Sequence, residues 1–234
     1  MFCLKLKVVS SGSKGNGYIL ESENEVLLVE AGCKPLDIKE AIDFKTSKIV
    51  GCIVSHSHLD HSKYAEDYKK MGIKVIEPYK DETKSTVAGK FKINFFPVIH
   101  DVPTYGAVIT EPTMGKLVFV TDAEYVKYTF PGVNHIMVEA NYSQDILDEN
   151  MNSGEIHKAL RDRIMKSHMS FDTAKGMVKA NKNPMLRNVI LCHLSSHNSD
   201  KKRFEKEMKD VAGQFCNVTV AQKGVEVDLG LCPF

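Results

Sequence analysis

The sequence predicts an α/β fold in which two β-sheets stack face to face with helices on the outside. Two observations carry that expectation. Strand hairpins near the N-terminus give way to mixed strand and helix segments, and the sequence passes through this succession twice, as layered architectures require. Several apolar runs also stop on a histidine or aspartate, which places ligand-type side chains at the ends of strands, where layered α/β folds hold their sites.

Strands are expected near 2–9, 17–21, 25–30, 49–55, 73–77, 91–99, 105–111, 116–121, 134–139, 187–192, 215–220 and 223–228. The first lies in "MFCLKLKVVS", which alternates apolar and polar residues at period two and lacks the apolar core and cleavage site of a signal peptide. Glu23-Asn24 and the loop from Pro112 to Gly115 are hairpin turns between later strands. "KIVGCIVS" is a buried strand. Helices are expected near 36–43, 62–71, 143–150, 154–166, 171–181 and 200–210, with Ser62 placed to cap the second and Gly72 to close it. No repeat, low-complexity tract or long linker divides the chain, so residues 1–234 are expected to form one domain.

A hydrophobic fraction of 43% with 26% charge is that of a soluble globular chain. The net charge of +1 excludes whole-molecule attraction to nucleic acid, which leaves that role to a local basic patch or to metal ions. No apolar run approaches the roughly 18 residues of a membrane span, so no membrane partner is expected. The six cysteines (Cys3, Cys33, Cys52, Cys192, Cys216 and Cys232) are scattered with no C-x-x-C pair. They read as reduced thiols, mostly in the core, of a cytoplasmic protein.

The chemistry concentrates in "IVSHSHLDHS", residues 53–62. In an extended segment residues two apart face the same way, so His56 and His58 can address one ion. Asp60 and His61 fall where the chain turns into the next helix and can address a second; imidazole and carboxylate together suit borderline cations such as zinc. "INFFPVIHD", "KLVFVTDAE" and "NVILCHLSS" then end strands at His100, Asp122 and His193. Any one of these is more often a loop residue or a cap, but three of them joined to the histidine cluster point to a metal cage. Cys192 falls on the opposite face from His193 and reads as core, and His197 as a surface loop residue.

The H-x-H-x-D-H signature with its later His, Asp and His resembles the metallo-β-lactamase fold, in register from "SSGSKGN" through "LCHLSSHN". That resemblance implies a four-layer αββα sandwich and two divalent metal ions, zinc or manganese with iron as a further candidate. It also implies that His56, His58 and His100 hold one ion, that Asp60, His61 and His193 hold the other, and that Asp122 bridges them. "SSGSKGNGYIL", "VEANYSQDIL", "RDRIMKSHMS" and "LCHLSSHN" together resemble the YycJ/WalJ-type nucleases and, more distantly, the tRNA 3′-processing ribonuclease Z enzymes. In the latter a glutamate and a histidine outside the cage assist proton transfer, and Glu139 and His168 match them. The plainer readings are a salt-bridged strand-end acid for Glu139 and a helix cap for His168.

One departure stands out: where the family usually has Asp in its "D-A-G" turn, this chain reads "VEAGCKP", with Glu30. There is no room for the inserted domain of the β-CASP branch, nor an obvious tRNA-clamping arm, which disfavours a transfer-RNA substrate. The expected function is a metal-dependent phosphodiesterase acting on nucleic acid, with the resemblance implying a 5′-to-3′ DNA exonuclease. Asp60 and Asp122 would offset part of the charge of the ions, leaving a positive site for hydroxide chemistry on an anion. Arg161, Arg163 and Lys166 are candidates to grip the substrate backbone, against the plainer reading of a solvated helix face. The same cage also suits a small-molecule hydrolase for a cyclic phosphodiester, ester or thioester. A di-iron electron-transfer protein is disfavoured, because that branch usually has a glutamate where His58 stands.

Overall fold

The apolar residues of these strands divide between two faces, and each face finds a layer to cover it. The computed structural model describes residues 4–231. In chain order its strands are β1 (Lys5–Ser10), β2 (Gly17–Glu21), β3 (Val26–Val29), β4 (Ile49–Ile53), β5 (Val75–Ile76), β6 (Ser85–Ala88), β7 (Phe91–Val98), β8 (Thr104–Glu111), β9 (Gly115–Val120), β10 (His135–Glu139), β11 (Asn188–Cys192), β12 (Asn217–Val220) and β13 (Glu226–Asp228). The helices are α1 (Pro35–Ala41), α2 (Leu59–Ser62), α3 (Ala65–Lys70), α4 (Pro78–Asp81), α5 (Gln144–Asn152), α6 (Lys158–Ser167), α7 (Phe171–Asn181) and α8 (Lys201–Ala212).

Two sheets result, a six-stranded one ordered β13-β1-β2-β3-β4-β5 and a seven-stranded one ordered β12-β11-β10-β9-β8-β7-β6. Period-two alternation decides what each residue meets. Leu117 and Phe119 of β9 point between the sheets, where they join Leu6, Tyr18 and Leu27. Val118 and Val120 point the other way, toward Phe171 and Val178 of α7 and Phe204 of α8. On the far side Ile38 of α1 and Tyr68 of α3 cover Leu28 and Cys52. The product is the four-layer αββα sandwich expected from the sequence.

The direction of the strands positions the site. β9, β10 and β11 run parallel, and β7 shares their direction because both β7 and β9 pair antiparallel with β8. Their C-terminal ends therefore open on one rim of the sheet, and the loop after β4 of the other sheet meets them there.

Local differences from expectation have local causes. The helix expected at 62–71 is two helices, and the first begins at Leu59 with His58 as its N-cap residue, so Asp60 and His61 are already helical. Ser62 does not cap the second of them, because its hydroxyl donates backward to the carbonyls of Ser57 and His58. Gly72 does close α3, with φ +80° and its N–H donating to the Lys69 carbonyl. The helix expected from 154 starts at Lys158, where the His157 imidazole accepts the Leu160 N–H at 3.1 Å. β6 and α4 were not anticipated. β6 buries only Ala88 and so has no apolar alternation to betray it, and α4 is one turn of four residues.

Cys33, Cys52, Cys192 and Cys216 are free and buried as expected; Cys3, Cys232 and the start of the strand at 2–9 lie outside the described residues. Among the described residues no helix is long and apolar enough to cross a membrane.

The outer helices are joined by a stacked pair, Phe171 on α7 and Phe204 on α8, with ring centroids 3.9 Å apart and both rings fully or nearly fully buried. Phe204→Ala removes this stack and leaves a cavity, at an expected cost of about 3–5 kcal/mol. Urea unfolding should show a lower midpoint with an unchanged slope.

Candidate metal centre

Four strands that end on the rim each deliver one ligand-type residue. His100 follows β7, Asp122 follows β9, Glu139 is the last residue of β10, and His193 follows β11, while His56, His58, Asp60 and His61 come from the β4 side. Asp122 and His193 leave their strands in the left-handed region, with φ of 46° and 51°, as does Glu30 after β3 with φ of 70°. Such backbone costs non-glycine residues of order 1–3 kcal/mol and persists only where the surroundings impose it.

The buried Asp122 carboxylate is the hub. Its Oδ2 lies 2.6 Å from His61 Nε2 and 3.8 Å from His56 Nε2, and its Oδ1 lies 2.8 Å from His168 Nδ1 and 3.3 Å from His193 Nδ1. Asp60 Oδ2 is 3.2 Å from both His61 Nε2 and His193 Nε2. His58 Nδ1 and His100 Nε2 approach to 3.3 Å. The ligand-type atoms fall into two adjacent groups, His56–His58–His100 and Asp60–His61–Asp122–His193, the atoms of each lying within 4.8 Å of one another. A third group of the same kind joins Asp122, Glu139, His168 and His193.

These residues fit divalent metal ions. His56 Nε2 is buried on the cage side without a hydrogen bond, an arrangement that is costly unless another partner completes it. The donors are imidazole nitrogens and carboxylate oxygens, the set that borderline divalent cations prefer. The outward sides are held in turn: Ser55 Oγ meets His56 Nδ1 at 2.9 Å, and Glu139 Oε1 meets His193 Nδ1 at 3.0 Å.

The comparisons with known proteins agree with this geometry. Residues 11–85 match the model of the metallo-beta-lactamase superfamily. Exodeoxyribonuclease WalJ of Streptococcus pneumoniae is 27% identical over 260 residues, spanning 96% of this chain and 91% of that protein. The metallo-beta-lactamase fold protein YhfI from Bacillus subtilis superposes with a TM-score of 0.69 at 20% identity, over 96% of this chain and 99% of its own. The chain is a metallo-β-lactamase-fold hydrolase. Human tRNase Z, short form, shares the fold with a TM-score of 0.60 at 12% identity, over 97% of this chain and 100% of its own.

Several residues of this hydrolase's site were not singled out from the sequence. Asp101 Oδ1 stands 3.3 Å from His58 Nε2 and 3.0 Å from His100 Nε2; its only signal was its place beside His100. Asn16 lies in the quoted "SSGSKGN" run, and its Nδ2 is 2.9 Å from His61 Nε2 and 3.3 Å from Asp60 Oδ2. Asn141 lies in the quoted "VEANYSQDIL" run, and its Nδ2 donates to the His193 carbonyl at 3.0 Å. Glu30 reaches across its extra methylene: one oxygen accepts the Ser55 N–H at 3.2 Å and the other stands 3.5 Å from His61 Nδ1. It supports the loop between β4 and α2 despite replacing the usual aspartate. His197 is an exposed residue on the cleft wall, outside all three groups, and Cys192 is buried between the sheets. Glu139 ends its strand paired with two histidines, His168 Nδ1 at 2.7 Å and His193 Nδ1 at 3.0 Å, so the base it meets at the strand end is imidazole and not lysine or arginine.

Burial pushes His56 down to about 2 and lowers His100, so both imidazoles are neutral at physiological pH. Burial would lower His61 and His193 too, but the carboxylates around them prevail. Asp122 and Glu30 hold His61 well above its ordinary value, and Asp122, Asp60 and Glu139 raise His193 to about 9. Burial likewise opposes ionisation of Asp60 and Asp122, yet their histidine partners keep both below the usual carboxylate range. Without ions, the cage is a network of imidazoliums and carboxylates.

Metal binding must therefore displace protons from His61 and His193. Both are raised, so their protons are held through neutral pH and leave only as pH approaches about 9 for His193. The apparent zinc affinity of metal-stripped protein should rise with pH across that window. Calorimetry in buffers of different ionisation enthalpy should count more than one proton released at pH 7, and a pH-independent affinity would contradict the charge network.

Proposed function

We propose that this hydrolase is a two-metal phosphodiesterase acting on nucleic acid, and specifically a 5′-to-3′ DNA exonuclease. The reading is supported by similarity, over nearly the whole of both chains, to a protein named an exodeoxyribonuclease. The observation that carries it structurally is a proton donor beside the cage. His168 Nδ1 lies 2.7 Å from Glu139 Oε1, and Glu139 Oε2 is itself fixed by the N–H groups of Ala123 and Met169 at 3.1 and 3.0 Å. Burial opposes its charge, but Glu139 and Asp122 raise His168 to about 10, so it carries a proton at neutral pH. A protonated imidazole next to the cage is what a poor alkoxide leaving group requires.

In this reading His56, His58 and His100 would hold one ion and Asp60, His61 and His193 the other, with Asp122 available to both. Zinc or manganese there would supply Lewis acidity toward a phosphodiester and activate water at neutral pH. Asp60 and Asp122 set the residual charge of the pocket, while Glu139 orients His168. The cage opens into a cleft of about 410 Å³ that takes a strand end; residues from α6 line one side and the Leu194–Asn198 loop another. Of the basic residues on α6, Arg161 is already paired with Asp148 at 2.7 and 2.8 Å, and Lys166 is absent from the cleft lining. Arg163, exposed at the cleft, is left to meet substrate. Four buried free thiols suit a reducing, cytoplasmic setting.

The test is reconstitution. Metal-stripped protein loaded with zinc, manganese or iron in turn should release nucleotides from the 5′ end of end-labelled DNA, and Asp122→Asn should lose both bound metal and this activity while its circular dichroism is retained. Hydrolysis of cyclic nucleotides without cleavage of DNA or RNA would replace the nucleic-acid reading with a small-molecule one.

The acid role has a sharper signature. His168→Asn should slow cleavage of an oligonucleotide by about 100- to 10,000-fold, but hydrolysis of a p-nitrophenyl phosphodiester far less, because p-nitrophenolate leaves without a proton. Glu139→Gln should show the same pattern more weakly. Equal losses on both substrates would mean that His168 acts through structure, and loss of metal would place it among the ligands.

A further inference from the structure

Beside the cage cleft lies a second recess, of about 360 Å³, which shares Ser13, Leu194 and Ser196 with it. The two therefore adjoin on the surface, with these three residues between them. The recess is lined by Ser10, Ser11, Ser13 and Ser196 and by three lysines, Lys14, Lys201 and Lys223, with no acidic residue in its lining. None of the three lysines forms an ion pair among the described residues; Lys201 meets only the neutral Gln222 side chain, at 3.3 Å. In a chain whose net charge is only +1, three cations left without carboxylates around one recess are a local concentration of positive charge.

The recess is also held in register with the cage. The His193 N–H donates to Ser11 Oγ at 2.9 Å, and the Gly12 N–H donates to Asn16 Oδ1 at 2.8 Å, while Asn16 Nδ2 touches His61 and Asp60. The loop that carries Ser13 and Lys14 is thus pinned to the same side chains that gather in the cage. Close backbone contact locks it further: a Cβ on Gly15 would meet the Gly32 carbonyl, and one on Gly32 the Asp60 carbonyl.

We infer that this recess is a phosphate-binding track that carries the sugar–phosphate backbone of a single nucleic-acid strand beyond the phosphodiester seated at the cage. The inference rests on the nucleic-acid reading above and adds where the strand runs. Lysine ammoniums recognise phosphate by charge, without reading bases, and the serine hydroxyls add hydrogen bonds that are equally indifferent to sequence.

The experiment measures binding as a function of salt. A fluorescein-labelled, phosphorothioate-linked single strand of about 12 nucleotides, long enough to fill both recesses, is titrated with the metal-loaded protein and followed by anisotropy. In the triple variant Lys14→Ala, Lys201→Ala, Lys223→Ala, the slope of log affinity against log salt should fall by about 2, at about 0.7 per phosphate contact, and affinity should drop at least about 10-fold near 0.1 M salt. The matching Lys→Arg triple should keep the wild-type slope.

An unchanged slope in the alanine triple would overturn the track. So would an equal loss in a triple Lys84→Ala, Lys90→Ala, Lys92→Ala at the opposite edge of the seven-stranded sheet, since the effect would then be one of net charge. In both cases, cleavage of DNA by the wild type would leave the proposed function standing. If the wild type neither binds nor cleaves the oligonucleotide while it hydrolyses a p-nitrophenyl phosphodiester, the nucleic-acid reading fails and the track falls with it.

Discussion

The burial of one carboxylate organises the rim of this molecule. Asp122 is almost entirely removed from water, and a charge there is tolerated only because four imidazoles surround it: His56 from the loop after β4, His61 from α2, His168 from the turn between α6 and α7, and His193 from the end of β11. Removing a single partner from such a buried network leaves an uncompensated charge, a costly state in a low dielectric. The loop of one sheet, the strand ends of the other and an outer helical turn are therefore tied to a common point by electrostatics, while the apolar residues below them hold the layers by area.

That arrangement requires strained backbone and close packing. Glu30, Asp122 and His193 all take left-handed conformations at the ends of strands, so each chain turns away at once while its side chain stays at the rim. The loop between β1 and β2 then packs so closely on the helical turn at Asp60 that Gly15 and Gly32 have no space for a side chain. The strain and the glycines have one cause, which is that several backbones converge on a small volume filled by imidazoles and carboxylates.

Charge is distributed unevenly across the surface that opens from this rim. The cage mixes buried and half-buried carboxylates with its histidines, whereas the adjoining recess presents lysines without acids. On α6, by contrast, Arg161 spends its charge on Asp148, and on α8 Arg203 does the same on Asp145 and Glu207. A net charge near zero thus conceals a polarised site, because acidic partners neutralise Arg161 and Arg203, whereas among the described residues Arg163 at the cleft and the three lysines of the recess have none.

Much of this was legible in the sequence, for physical reasons that can be named. His56, His58, Asp60 and His61 are contiguous, so local backbone geometry alone brings them near one another, and His100, Asp122 and His193 stand at the ends of apolar runs whose burial forces those ends to a rim. The layered fold followed from the same runs. Other features had no local signal. β6 is exposed and lacks alternation, and the helix expected from Ser62 begins at Leu59 because the histidine turn itself starts it. The neighbours Asn16, Asp101 and Asn141 look like ordinary loop residues, and Glu139 and His168 could be suggested only by resemblance. Their pairing across 29 residues depends on β10 ending beside the turn between α6 and α7. By itself the sequence determined which residues are buried, which strands carry a polar end, and which side chains have metal-binding atoms. Tertiary structure alone decided which carboxylate faces which imidazole, because those contacts join segments from different layers, and their distances are set by how the two sheets pack.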